Sequence, residues 1–275
     1  MSALAATAAA ALIAAQPALA APWGKKKAEP EAPAAAAAQA PAVPAPRRAT
    51  PEERAQVARL DPLARAAFWA REANLDPRDA EAGVQLSQAL RAMGNHADAL
   101  QASQRVLVVQ PDHVEALLES ARAHIGRGQG FYAIEPARRA QALAPKDWRA
   151  PSLLGVAYEQ ALREEEALAA HRQAVALAPN EPSAVSNLAL FYANRGEARE
   201  AEALLRRAAA QPNAPIAVRQ NLALVLGLQG RFDEAERLAR QDLPPEAVAN
   251  NLAWLRAVAA GGETTRSWDS LRSPQ

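Results

Sequence analysis

The sequence predicts an all-α protein, a right-handed α-solenoid of stacked helix-turn-helix repeats. Three observations carry that prediction. Alanines recur at Ala99, Ala133, Ala167, Ala201 and Ala235, each 34 positions from the next. Leu86, Leu154, Leu188 and Leu222 keep the same frame, with Ser120 at the one missing place, and so do Pro77, Pro111, Pro145 and Pro179. The composition agrees, since 50% of the 275 residues are apolar but only 4% aromatic, and a surplus of alanine with leucine, arginine and glutamate favours helix over strand. A fixed period of this length marks a repeat array, in which a unit buries its apolar face only against its neighbours.

The third repeat, from Trp148 to Pro179, shows the pattern most fully. Two helices approach closely only where one presents a small residue, and large residues about a turn away must fill the space that remains. Gly155, Ala167 and Ala174 supply the small positions, and Leu154 and Tyr158 the fillers. Pro179 then stops the second helix, because proline has no amide to donate and its ring clashes with the preceding turn. The run Leu154-Gly155, then Tyr158, Ala167, Ala174 and Pro179 resembles the tetratricopeptide repeat, and the resemblance covers residues 51–260.

In chain order, residues 1–20 are nearly all small or apolar and end in Ala18-Leu19-Ala20, which reads as a cleavable signal peptide. The basic residues that usually precede such a run are missing, and Lys25 to Lys27 follow it. That order leaves open an uncleaved inner-membrane anchor with the repeats in the cytoplasm. Residues 21–50 are alanine and proline with scattered charge (Glu29, Arg47, Arg48), the composition of an extended tether.

A degenerate helix pair follows. Pro51 opens a short helix to about Leu60, and Asp61-Pro62, a good N-cap and first residue, opens a second to Leu75. This pair is expected to cap the array. Repeats one to five are expected over 80–111, 114–145, 148–179, 182–213 and 216–242. Repeat two departs most, with Ser120 for leucine, His124 for tyrosine, Pro136 inside its second helix and Gly126, Gly128 and Gly130 crowding its turn. It reads either as a loosened joint or as decay that the neighbours tolerate. A final helix, about Glu246 to Ala259, caps the C-terminal end, and residues 261–275 form a polar tail carrying Trp268, Asp269 and Leu271.

The formal charge of +1 supplies no field to draw nucleic acid or a membrane surface. With no cysteine, disulfides, thiolate metal sites, cysteine nucleophiles and a lipid-modified N-terminal cysteine are excluded. No phosphate-cradling glycine loop, metal-binding histidine pair or nucleophile elbow is present, so neither an enzyme nor a cofactor is expected. His96, His113, His124 and His171 fall at different frame positions and read as packing or surface residues.

One triplet repeats in the first helices: Asn187-Leu188-Ala189, Asn221-Leu222-Ala223 and Asn251-Leu252-Ala253. In the family it resembles, first helices line the concave surface, and the residue before the packed leucine looks into it. The resemblance thus implies an asparagine ladder, and an amide that both donates and accepts suits a peptide backbone. Repeats one to three carry Gln85, Glu119 and Leu153 there instead. Arg149, Ser183, Ser186, Asn194, Gln220 and Trp254 are the neighbouring groove candidates, and Leu190 and Leu224 are expected to form side-chain pockets. The tail motif at Trp268, Asp269 and Leu271 is a candidate docking peptide or an occupant of the groove.

The leader, tether, five repeats and tail together are similar to the tetratricopeptide proteins of tight-adherence (Flp-type) pilus assembly. That resemblance implies an envelope protein that helps a secretin assemble, although this chain lacks the lipidated cysteine of those relatives. The expected function is a periplasmic scaffold that binds a protein or peptide partner and uses neither cofactor nor metal. The rival expectations are a cytoplasmic, membrane-tethered adaptor and a subunit of an exopolysaccharide export machine. Membrane association is expected only through the N-terminus.

Overall fold

A computed structural model describes residues 47–260, which form thirteen helices and no strand. The leader, most of the tether, and the tail with its Trp268, Asp269 and Leu271 lie outside the described residues.

The helices pair in chain order: α1 (Pro51–Val57) with α2 (Pro62–Leu75), α3 (Ala80–Ala92) with α4 (His96–Val109), and α5 (Val114–Gly126) with α6 (Gly130–Leu143). Then α7 (Arg149–Gln160) pairs with α8 (Glu164–Leu177), α9 (Pro182–Asn194) with α10 (Ala198–Ala209), and α11 (Ile216–Leu228) with α12 (Phe232–Ala239), and α13 (Pro245–Ala259) ends the row. Side chains set many of the starts. Thr50 and Glu53 form a capping box on α1, and Asp61, Asp79, Asn95 and His113 each accept an amide of the first turn of the helix that follows. The first helices of four repeats stop at a left-handed glycine: Gly94, Gly128, Gly196 and Gly230, with φ between 69° and 81°. Repeat three has Leu162 at that place, and it takes φ 57° as a leucine.

Each helix packs on the next, and successive first helices (α3, α5, α7, α9, α11, α13) also touch one another along the stack. Successive second helices make no comparable contact. The first helices therefore form the inner row of the solenoid and the second helices the outer row.

The 34-residue comb is the seam between the rows. Ala99, Ala133, Ala167 and Ala201 are 0% exposed and Ala235 1%. Leu86, Leu154, Leu188 and Leu222 are buried beside them. Gly155 shows why a small residue is required there. A Cβ on it would stand 2.4 Å from the His171 ring. His171 is fully buried, with its Nε2 2.7 Å from Glu159 Oε1 and its ring beside Phe191.

Repeat two is a complete helix pair. Ser120 is buried, with Leu117 and Leu118 carrying the packing beside it. Pro136 stands inside a continuous α6, where the carbonyl it deprives of a donor is that of exposed Tyr132 in the first turn. Gly130 permits α6 to start hard against α7, since a Cβ there would fall 2.5 Å from the Ala157 carbonyl oxygen. The crowded turn is thus a close contact between repeats.

The ends differ from the middle. At the N-terminal end Arg54 donates to Glu72, Asp79 and Glu81, while Arg48 pairs with Asp76 and Asp79. The Ala49 amide also donates to Glu72, so residues 48–49 are strapped onto α2 and α3. Burial alone would raise the pKa of Glu72, but the Ala49, Arg54 and Arg71 donors outweigh it and hold the carboxyl below its ordinary value. At the C-terminal end α12 is short, and α13 folds back on α11, burying Val248, Leu252 and Leu255. No helix of the described residues is long and apolar enough to cross a membrane.

Candidate functional site: the inner row of first helices

The inner row changes character along the stack. In α3 and α5 it is charged, because Glu119, 1% exposed, accepts from Arg91 Nε at 2.9 Å and Arg122 Nη1 at 2.6 Å. Arg149, a groove candidate, forks onto Glu115 at 2.5 and 3.0 Å and pairs with Asp147 at 2.6 Å. The two Glu115 bonds tie α7 to α5. Burial alone would raise the pKa of Asp147, and the Arg149 hydrogen bonds outweigh it, holding the carboxyl below its ordinary value.

From α7 onward charge gives way to amides and hydroxyls. Asn187, half-buried on α9, donates from Nδ2 to Ser152 Oγ on α7 at 2.8 Å. Asn221, 8% exposed on α11, repeats the bond one unit later, donating to Ser186 Oγ on α9 at 3.1 Å. Each asparagine therefore reaches back 35 residues to a buried serine of the preceding first helix. One amide hydrogen is spent on that bond. The Oδ1 atoms take no hydrogen bond from the described residues, so an acceptor and a second N–H remain on each side chain.

Asn251 on α13 occupies the same register, and Gln220 stands where a serine would meet it. Both are half-buried, and no hydrogen bond joins their side chains. The shortened fifth repeat accounts for this, since it replaces the 34-residue step with 30 between Asn221 and Asn251.

The other candidates are distributed unequally. Ser183 is half-buried at the start of α9, where its amide donates to Glu181. Asn194 is exposed at the end of α9 and donates to Glu159 Oε2 at 3.3 Å, the carboxylate whose other oxygen meets His171. Trp254 is half-buried and packs against the core that α13 closes. Leu190 and Leu224, expected to shape side-chain pockets, are 5% and 9% exposed. Both are buried, so neither stands open as a side-chain pocket.

Ser152 was not legible as part of the site from sequence. The signal lay in the frame, since Ser152 and Ser186 stand 34 apart, each one position before the row that carries Asn187. The histidines are dispersed as expected: His113 caps α5, His124 stacks on Tyr132, and His96 lies over Gly126. Among the described residues no group of three His, Asp or Glu side chains is placed to hold a metal ion.

Comparison with known proteins agrees with this architecture. A family model for the tetratricopeptide repeat matches residues 183–210 and 216–243, the fourth and fifth repeats. A thermophilic TPR protein of Thermus thermophilus, TTC0263, is 25% identical, with a TM-score of 0.58 over 64% of this chain and 98% of that one. Residues 183–210 and 216–243 are tetratricopeptide repeats, in a fold like that of TTC0263. This repeat protein is also similar to MamA 41-end from Desulfovibrio magneticus RS-1, at 24% identity and a TM-score of 0.49, over 57% of this chain and 88% of that one. YrrB, described as a TPR protein with an unusual peptide-binding site, is 16% identical with a TM-score of 0.42, over 69% of this chain and 99% of that one. No curated protein gives a significant match.

Proposed function

We propose that the protein is a non-catalytic interaction scaffold whose inner row holds a segment of a partner protein in extended form. The observation that carries this reading is the pair of serine-held asparagines, Asn187 on Ser152 and Asn221 on Ser186. A side chain already fixed by one hydrogen bond loses less entropy when a ligand engages its remaining groups. The spare acceptor and donor match the N–H and C=O of a peptide, which favours binding with little regard to sequence. Packed helices lie about 8–10 Å apart, and an extended chain advances about 3.3 Å per residue, so one rung faces every third residue. Arg149, Ser183, Asn194 and Trp254 border that path.

On our reading the scaffold works in the cell envelope, periplasmic after cleavage near Ala20, and the leader and tether support that. The layout it shares with Flp-type pilus assembly proteins makes a secretin or pilus component the favoured partner. One observation favours a second reading: Lys25 to Lys27 follow the apolar run, as an anchor with cytoplasmic repeats requires. A reporter active only in the periplasm, fused after residue 60, is expected to be active, and an inactive fusion selects the anchored adaptor.

The binding mechanism is tested by replacing Asn187, Asn221 and Asn251 together with alanine and measuring capture of the partner recovered in a pull-down with the mature protein. Loss of capture with unchanged helix content is expected. Full capture by the folded triple variant rejects the asparagine row as the binding surface.

A further inference from the structure

The net charge hides a segregation along the second helices. In α4, α6, α8 and α10 the carboxylates, Asp98, Glu135, Glu164 to Glu166, Glu200 and Glu202, all lie in the first half of the helix. The remaining stretches, 103–109, 137–143, 171–177 and 204–209, carry six arginines and no acid. Arg105, Arg139 and Arg207 share one position of the 34-residue frame, and Arg138, Arg172 and Arg206 share the position before it. Bonds between repeats join these helix ends. Arg139 donates to the Pro111 carbonyl and to Asp112 in the loop after α4, and Gln141 Nε2 donates to Gln173 Oε1 on α8 at 2.9 Å.

Most of that charge is open to solvent. Arg105, Arg207 and Lys146, in the loop after α6, are exposed and have neither an ion pair nor a side-chain hydrogen bond among the described residues. Arg172 is exposed too and reaches only the Tyr192 hydroxyl, and Arg138 donates only to that of Tyr158. Asp112 pairs with Arg139, Glu202 and Glu234 pair with Arg206, and Glu166 lies near enough to feel the charge of Arg138. Beside the arginines stand bare aliphatics. Val108 is 83% exposed, and Val109, Leu143 and Leu177, again 34 apart, are 43%, 45% and 38% exposed. Val109 and Leu143 follow Arg105 and Arg139 by four residues, so each pair shares a helix face. A helix dipole rewards a cation near the C-terminus, but it gives nothing for an uncovered valine.

We propose that this outer surface, from α4 to α10, docks on a membrane rich in anionic phospholipid. Guanidinium forks meet the lipid phosphates, and the aliphatic side chains of the last turns enter the boundary between headgroups and acyl chains. A protein partner is gripped through a few large side chains seated in pockets. Here the cations and aliphatics are spread over four helix ends, which a bilayer engages along its plane without a pocket. The formal charge of +1 is no obstacle, because screening over about 8 Å at physiological salt leaves a headgroup to sense the nearby arginines and not the distant acids. The surface belongs to the second helices, so it does not depend on the asparagine row.

All the described helices and their contacts lie within residues 21–275, so that chain is used for the test, free of the apolar leader. It is expected to co-sediment with vesicles of phosphatidylcholine containing about 30% phosphatidylglycerol at about 0.15 M salt, to ignore vesicles of phosphatidylcholine alone, and to lose most of its binding at about 0.5 M salt. The quadruple variant Arg105→Gln, Lys146→Gln, Arg172→Gln and Arg207→Gln is expected to bind at least about tenfold more weakly with an unchanged melting temperature, since none of the four is in an ion pair. Val108→Ser with Leu143→Ser is expected to weaken binding several-fold at every salt concentration, because an apolar contribution is not screened. Lys25 to Lys27 of the tether remain in every variant, so binding through them alone would show as wild-type binding. Equal binding to both kinds of vesicle, or wild-type binding by either variant, overturns the proposal. Tighter binding to polyglutamate than to the anionic vesicles assigns the surface to an acidic protein and overturns the lipid reading. The Asn187, Asn221 and Asn251 triple variant is expected to bind vesicles as wild type does, so failure of the groove reading and failure of this one are distinguishable.

Discussion

Leu162 is the one non-glycine residue with positive φ among the described residues, at the place where four other repeats use glycine. Its side chain is 88% exposed, so the left-handed backbone is not repaid by packing. Such a conformation costs a non-glycine residue about 1–2 kcal/mol, part of which glycine gives back through its freer unfolded chain. Leu162→Gly is therefore expected to stabilise the protein by roughly 0.5–1 kcal/mol, read as a higher urea midpoint. Gly155→Ala is expected to do the opposite. The added methyl meets the His171 ring at 2.4 Å, and that ring is fully buried and held by Glu159, so overpacking of about 1–3 kcal/mol has nowhere to relax. Gly155 was legible in the sequence as a close-approach residue. Its partner was not, because the same frame position carries Ser103, Ala137, Leu205 and Ala239 in the other repeats.

Between elements, α10 and α12 are locked by charge. Glu202, whose side chain is 15% exposed, accepts from Arg206, Arg231 and Gln229, and Glu234 pairs with the same two arginines. Burial alone would raise the pKa of Glu202, but those donors outweigh it and hold the carboxyl down to about 2. A carboxyl held low contributes stability above its unfolded value, near 4.5, and that stability is lost as the pH falls from about 4.5 towards about 2. Glu202→Gln is accordingly expected to be less stable than wild type at pH 7, by at most about 3 kcal/mol, and to converge with it near pH 2. Urea unfolding across the range from neutral pH down to that value checks this. The helix bounds themselves were largely legible, because capping residues and the αL glycine act within one turn. The lock was not, since Glu202 and Arg231 are 29 residues apart and meet only because α10 and α12 both pack on α11.

At the scale of the whole described array, stability is expected to be shared between neighbours, as in other repeat stacks. The C-terminal cap is the sensitive point. Val248, Leu252 and Leu255 of α13 cover the apolar face of α11, and Leu255 fills the space above Gly227. Removing residues 244–275 uncovers that face, so the shortened protein is expected to melt lower and to self-associate, measured by light scattering during size-exclusion chromatography. Protection of α3 and α5 amides against hydrogen exchange should change far less than that of α9 and α11 in the same variant.

Periodicity in the sequence was enough to determine the class of fold, the order of helices, the alanine seam and the position of the asparagine row. Those properties depend on which residue types recur at a fixed step, and a 34-residue comb states that directly. Tertiary structure alone decided how open each position is. Asn221 is nearly covered while Asn187 is half-buried, Leu190 and Leu224 are buried, and Arg149 is spent on Glu115. Each of these outcomes is set by the distance and angle between successive helices, and side chains tens of residues apart determine that geometry together.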